Sequence, residues 1–326
     1  MYFIKKIIKT ILPKKYVTFL RGKINHEGYL LMFFPPLKLI LRYLPNNILL
    51  ILMNRKILSY DYTINYAIPR KIRKKIMNSY DKDKFYLNIG GGFNENKRNW
   101  RILEYSGDPI QNIGYRYHKE LIDYNIDLMV EKKWEIKDET VHLVYTSHCL
   151  EHITQSATEF LFNEVYRILK PNGIFRISVP NSDLAYEALK KGNLNFFMAF
   201  NDQEKILDIK NEDKISSLIE AGFLKFFSSY KLDENSYSEF QNDFKNLDKT
   251  KLFNKYTSNQ KDEYNYHAHI NWFNFKKIKE IGIKSNFKEE KIILSEKNKS
   301  ISKEMQSGEF DKTAPNYSIY VDIAKN

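Results

Sequence analysis

A single cysteine, Cys149, stands in 326 residues. One thiol excludes an intramolecular disulfide and any cysteine-rich metal site, and it fits a reducing compartment. Acids are scarce in the first 80 positions, where Glu27 and Asp61 stand against sixteen Lys and Arg. Residues 81–326 hold 36 basic and 38 acidic side chains, so the net charge of +12 belongs to the N-terminal part alone. The rest lacks the basic balance of a nucleic-acid binder, and the charge step suggests a boundary near residue 80. Long apolar runs are missing too. The most apolar region, residues 29–53, is cut by Pro35, Pro36 and Pro45 and carries Lys38 and Arg42. No uninterrupted stretch reaches the roughly 20 residues that a membrane span needs. Lysines are interspersed with the apolar residues from the start, so no signal peptide is expected. There is no internal repeat and no low-complexity linker.

What is present begins with an apolar content of 43%, enough for a real core. In residues 3–12, Phe3, Ile4, Ile7, Ile8, Ile11 and Leu12 fall on one face of a helix and Lys5, Lys6 and Lys9 on the other. Pro13 stops this basic amphipathic helix. It can lie on an anionic membrane surface through residues 1–15, or pack on the protein's own core with its lysines in water. A second basic cluster at residues 70–75 reads as a solvated helix face. Residues 1–80 are therefore expected to form a basic helical N-terminal extension.

From residue 84 the pattern is strand, turn, helix, repeated. Strands are expected at 85–89, 100–104, 123–128, 141–145 and 174–179. A helix with apolar Phe160, Leu161, Val165, Ile168 and Leu169 stops at Pro171-Asn172-Gly173. Alternation of this kind predicts an α/β fold with a parallel sheet and right-handed crossovers. In such sheets a ligand sits outside the carboxyl ends of the strands. Gly90, Gly91 and Gly92 end the first strand, where missing side chains let a ligand touch backbone. Glu104 ends the second strand, where a carboxylate can accept both hydroxyls of a ribose. Asp127 follows the third strand, and Thr146, Ser147 and His148 follow the fourth. The residues alone leave NAD, FAD, S-adenosylmethionine or plain tight packing open at the glycines.

The run from 87 to 181 resembles the class I S-adenosylmethionine-dependent methyltransferases, and most of all a bacterial set with an S-H-x-L-E-H run. The resemblance rests on Leu87-Asn88-Ile89-Gly90-Gly91-Gly92, Glu104, Asp127-Leu128, Ser147-His148-Cys149-Leu150-Glu151-His152, the E-x-x-R…L-K-P-x-G of residues 164–173, and Val179-Pro180. It implies a Rossmann-like, mostly parallel seven-stranded sheet flanked by helices, with methyl transfer as the activity and S-adenosyl-L-methionine as the cofactor. Carried onto this chain, it places Asn88, Gly90, Gly91, Gly92, Glu104, Asp127, Thr146 and Ser147 around the cofactor, with Asn88 in the pocket floor. His148, near the methyl, is a candidate base or a turn-packing residue, and His267 is a second candidate. Glu151 and His152 are expected to organise their loop. His267 and His269 look like a metal pair, but no third ligand at sensible spacing is evident, so no metal is expected. The chain departs from the family's pattern at His142, where an acid is usual, at Glu104 in place of the commoner Asp, and in the Asn- and Lys-rich segment 94–99.

Residues 192–266 form an insert rich in Phe, Tyr, Asn, Asp and Lys, with amphipathic pieces at 215–227 and 240–253. The insert reads as a lid or substrate subdomain of the methyltransferase domain at 81–326. The expected partner is a small-molecule, glycan or lipid-linked acceptor, and the expected place is the cytoplasm, free or membrane-associated. The alternative is a non-catalytic binding or scaffold protein on a decayed methyltransferase core.

Overall fold

The computed structural model describes residue 48 and residues 84–90, 100–105, 122–198, 214–227, 234–257, 268–306 and 310–326. Apart from residue 48 and Trp100, these belong to one compact unit. The N-terminal extension, Gly91, Gly92, the segment 94–99 and His267 lie outside the described residues.

Seven strands make one sheet: β1 (Tyr86–Ile89), β2 (Trp100–Glu104), β3 (Tyr124–Asn125), β4 (Val141–Ser147), β5 (Leu169–Pro180), β6 (Ile292–Ser295) and β7 (Ser318–Ala324). Their order is β3-β2-β1-β4-β5-β7-β6. The β2–β3, β1–β4 and β4–β5 pairs are parallel, whereas β7 runs antiparallel to both β5 and β6. This is the mostly parallel seven-stranded sheet that the resemblance implies. One face of the central strands is apolar, with Leu87, Val144, Phe175 and Ile177, whereas the other carries the buried polar side chains of Asn88, Tyr145 and Arg176.

The described helices are α1 (Gln155–Ile168), α2 (Ser182–Lys190), α3 (Leu194–Met198), α4 (Lys214–Phe227), α5 (Glu234–Asn246), α6 (Lys249–Tyr256) and α7 (Phe275–Lys284). Helix α1 starts where the Thr154 side chain accepts the Ala157 N–H, an ordinary N-cap. Its buried stripe of Ala157, Leu161, Val165 and Ile168 packs with Leu87, Val144 and Ile177 in the main core. Among the described residues no helix is long and apolar enough to cross a membrane.

Three boundaries differ from the pattern reading, each for a local reason. The third strand shrinks to two residues. Its flanking acids take backbone amides instead: Asp123 accepts from Ile102 N at 2.9 Å and Asp127 from Met129 N at 2.9 Å. The fifth strand begins at Leu169, directly after the helix, because Leu169 pairs with Val141 before Ile174 pairs with Leu143. Residues 170–173 bulge out between those two pairings, with Asn172 at φ +62°. The amphipathic piece at 240–253 is two helices, broken where Asp248 caps α6 by accepting the Lys251 N–H.

A second apolar cluster joins the insert to α2 and Trp272. Phe197, Phe223, Phe226, Phe240, Phe253 and Trp272 are buried together against Ala185 and Leu189 of α2. Its aromatic rings meet one another, as in the Phe240–Tyr256 edge contact at 5.0 Å and the Phe253–Trp272 pair at 4.9 Å. Their spacing therefore serves packing.

Strand β7 is tied to β5 by charge as well as by hydrogen bonds. Arg176 on β5 is fully buried and donates to Asp311 at 2.7 Å, to Asp322 of β7 at 3.2 Å and to the Glu296 carbonyl at 2.9 Å. Removing one member of such a group leaves the others as uncompensated buried charge. Arg176→Met is expected to lower stability by about 3–5 kcal/mol in urea unfolding. Adding Asp311→Asn and Asp322→Asn should recover part of that loss, whereas a loss below about 1 kcal/mol would show that the group is solvated.

Candidate active site

Parallel register brings the predicted positions to one edge. Ile89 lies beside Thr146, Thr146 beside Ile177, Ser147 beside Ser178, and Glu104 beside Asn125. Gly90, Glu104 and Ser147 thus end three strands on the same side of the sheet. Gly90 also gives its N–H to the Leu103 carbonyl at 3.0 Å, which locks the β1 end to the β2 end.

Gly90 sits at φ +63°, and a Cβ placed there would lie 2.3 Å from Cys149 Sγ. Glycine is needed for two reasons at once, the left-handed backbone and the sulfur packed on it. Cys149 was not among the expected site residues, yet it forms the wall against the first glycine. Burial, then the nearby Glu104 and Glu151 charges, push its thiol well above the ordinary range, with the Thr146 hydroxyl acting weakly the other way. The Glu104 carboxylate is thus within electrostatic reach of the Gly90 turn. It is partly open, with Oε1 accepting the Tyr105 N–H at 3.0 Å.

The other predicted positions divide. Asn88 is buried on the face of β1 opposite Leu87 and Ile89. Thr146 is buried and its hydroxyl donates to the Ile89 carbonyl at 3.1 Å, so this side chain stitches β4 to β1. The Ser147 hydroxyl is buried at the edge without a hydrogen-bond partner among the described residues. Asp127 spends one carboxylate oxygen on its own turn.

His148 follows β4 at φ +50° and gives its backbone N–H to the Ser178 carbonyl at 2.8 Å. Its ring is held at both ends. Nε2 meets Ser318 Oγ on β7 at 2.8 Å, and Nδ1 meets Glu151 Oε1 at 3.2 Å. Held this way, His148 anchors the turn, and it can turn to a substrate only by giving up Ser318.

Glu151 is the charge at the centre of this turn. Its side chain is 2% exposed. Burial alone would push its carboxyl up. The hydrogen bond from His148 and the positive potential of His148, His152 and His269 outweigh burial and hold it well below the usual carboxylate range. Its backbone carbonyl accepts the N–H groups of Ile270 at 2.7 Å and Asn271 at 3.2 Å. The segment carrying His269 is thereby bound to the turn after β4. Burial pushes His269 down from the usual imidazole value.

Two motif positions serve the scaffold. Glu164 and Arg167 form an ion pair, and Arg167 reaches the carbonyls of Trp134 and Ile136 while Glu164 accepts the Trp134 N–H at 2.7 Å. The pair clamps the chain before β4 onto α1. His142, where an acid is usual, accepts from the Phe85 N–H through Nδ1 at 3.2 Å and meets Lys170 Nζ at 3.0 Å. It ties the start of β4 to the residue before β1.

Residues 103–177 match a family model described as a methyltransferase domain. The match covers less than a quarter of the chain and shows what this stretch is similar to. It contains Glu104, Asp127, Ser147, His148 and the Glu164–Arg167 clamp, while Gly90 stands just before it. No curated protein matches the chain. Solved structures resemble it at low identity. A Haemonchus contortus phosphoethanolamine N-methyltransferase 2, in complex with phosphomonomethylethanolamine and S-adenosylhomocysteine, is 14% identical over 86% of this chain and 58% of its own, with a TM-score of 0.36. A putative S-adenosyl-L-methionine-dependent methyltransferase from Methanococcus maripaludis is 12% identical over 86% of this chain and 92% of its own, at 0.31. One from Mesorhizobium loti is 20% identical over 35% of this chain and 52% of its own, at 0.24.

The sealed sulfur beside Gly90 gives a direct check on the geometry at the end of β1. Cys149 in the folded protein is expected to react with iodoacetamide at pH 8 roughly a hundredfold more slowly than in urea, or slower still. Equal rates, read by mass spectrometry, would show that Cys149 does not pack on Gly90.

Proposed function

We propose that the chain transfers a methyl group from S-adenosylmethionine to a small acceptor. The observation that carries the reading is the pairing of Gly90, at positive φ, with Glu104 at the ends of neighbouring strands, at the start of the methyltransferase domain. The donor set fits the cofactor. The Glu104 carboxylate can accept from vicinal ribose hydroxyls, the half-buried Gly90 turn would lie against the amino-acid part, and the Ser147 hydroxyl has no hydrogen-bond partner among the described residues. Asn88, Asp127 and Thr146 shape the same edge, and Gly91 and Gly92 would extend the turn. The bound cofactor supplies an electrophilic methyl on a sulfonium. What the protein must add is alignment of the acceptor and exclusion of water, and proximity alone supplies much of the rate. His148, with Ser318 and Glu151 fixing its ring, positions the turn beside that methyl, and His267 is a second candidate to face the acceptor.

Calorimetry tests this reading. S-adenosylmethionine should bind and NAD should not. Glu104→Ala should weaken binding by roughly tenfold or more, the loss of a charge-assisted hydrogen bond. No heat with millimolar S-adenosylmethionine, or unchanged affinity in Glu104→Ala, would sink the proposal.

The acceptor is read as a glycan or a lipid-linked small molecule, met by the insert at 192–266 and approached from a membrane face. Support comes from the basic amphipathic pattern of residues 3–12 and the charge excess of residues 1–80. The full chain should pellet with vesicles containing anionic lipid, and removal of residues 1–15 should release a large part of it. Equal pelleting with and without those residues would remove that helix from the account.

A further inference from the structure

We propose that Glu151, His152 and His269 form a binding site for a divalent transition metal of the zinc class. One ligand atom from each residue lies within 4.8 Å of the other two. Two imidazoles and a carboxylate are a recurrent protein set for zinc, with a further position left for water or substrate. The pairing is not the one that sequence spacing suggests. His269 is near His267 in the chain, but the fold brings it to Glu151 and His152, because the backbone of residues 270–271 is bonded to the Glu151 carbonyl.

The ring orientations support a metal. His269 Nδ1 lies 2.7 Å from the Phe226 carbonyl, and His152 Nδ1 lies 3.1 Å from the Ala268 carbonyl. A carbonyl only accepts, so both Nδ1 atoms carry the proton. Nε2 of each ring is then the atom that would present a lone pair to a metal, and His152 Nε2 is 4.0 Å from Glu151 Oε1. Metal-bound histidines are held in this manner, with the second ring nitrogen donating to a backbone carbonyl. The carboxylate is oriented from outside as well. His148 takes Glu151 Oε1, while Oε2 is buried with no hydrogen-bond partner among the described residues. An orphaned carboxylate oxygen sealed beside two imidazoles costs free energy unless a cation joins them. The two rings meet edge-on at 4.9 Å between centroids, so both can turn a nitrogen to one point. Bond lengths of about 2.0–2.2 Å require the three ligand atoms to draw together modestly, within the reach of side-chain rotation.

The site stands on this cluster alone, so metal uptake is read without cofactor or acceptor and does not depend on methyl transfer. The full chain, stripped with chelator, is titrated with Co²⁺ and followed by visible absorption, then with Zn²⁺ by calorimetry. One equivalent per chain is expected, with the strong visible bands of four- or five-coordinate cobalt. His152→Ala and His269→Ala should each weaken Zn²⁺ binding by about a hundredfold or more, beyond the loss typical of an outer-shell partner. His142→Ala, outside the cluster, should leave it unchanged. A cobalt spectrum like that of the hexaaquo ion overturns the proposal whatever the variants do. So does Zn²⁺ affinity that survives both substitutions in variants shown to be folded by circular dichroism.

Discussion

A carboxylate sealed from water must be compensated where it stands, and Glu151 sets that condition for the whole carboxyl edge. Its charge sits at the turn after β4, the strand at the centre of the sheet. Compensation comes from His148, which meets one carboxylate oxygen, while the rings of His152 and His269 face the carboxylate from the other side. Each partner is fixed from a different element in turn: His148 by Ser318 of β7, His269 by the Phe226 carbonyl at the end of α4. Three stretches distant in sequence are therefore held to one point. An apolar residue at 151 would remove the reason for that convergence, since desolvation is tolerated here only because the partners are in place.

Much of the architecture is written in hydrophobic periodicity. Strands β1, β2 and β7 and helices α4 and α7 fall where apolar residues alternate or recur at helical spacing. Errors came where polar side chains compete with the backbone ladder. Asp123 and Asp127 cut β3 short, and Asp248 cut one insert helix into two. Both effects have a local signal, an acid poised to accept a nearby N–H. Residues 170–173 show a subtler case. Their turn chemistry was legible, yet turn and strand coexist because the chain pairs before and after the bulge.

The candidate site was legible only in part. Glycine followed by an acid one strand later is visible in the sequence, since both are consequences of strand ends. What a given side chain touches is not. Thr146 and Ser147 are neighbours at the same strand end, but one hydroxyl is used within the sheet and the other lacks a hydrogen-bond partner among the described residues. Of the partners of His148, Glu151 is a near neighbour in the chain, but Ser318 lies 170 residues away and no spacing rule links the two. Cys149 reads as an incidental residue in a motif, although its sulfur decides what can stand at position 90.

The place of β7 in the sheet has a consequence for synthesis. Strand β7 follows the other six in chain order yet lies between β5 and β6, so β6 has no neighbour in the sheet until β7 has been made. Arg176 is translated long before its partners at 311 and 322. A chain still being made on the ribosome holds a cation that cannot be buried and an open edge at β5. The sheet can close only after β7 has been made, which leaves the nascent chain dependent on whatever shields that edge until then.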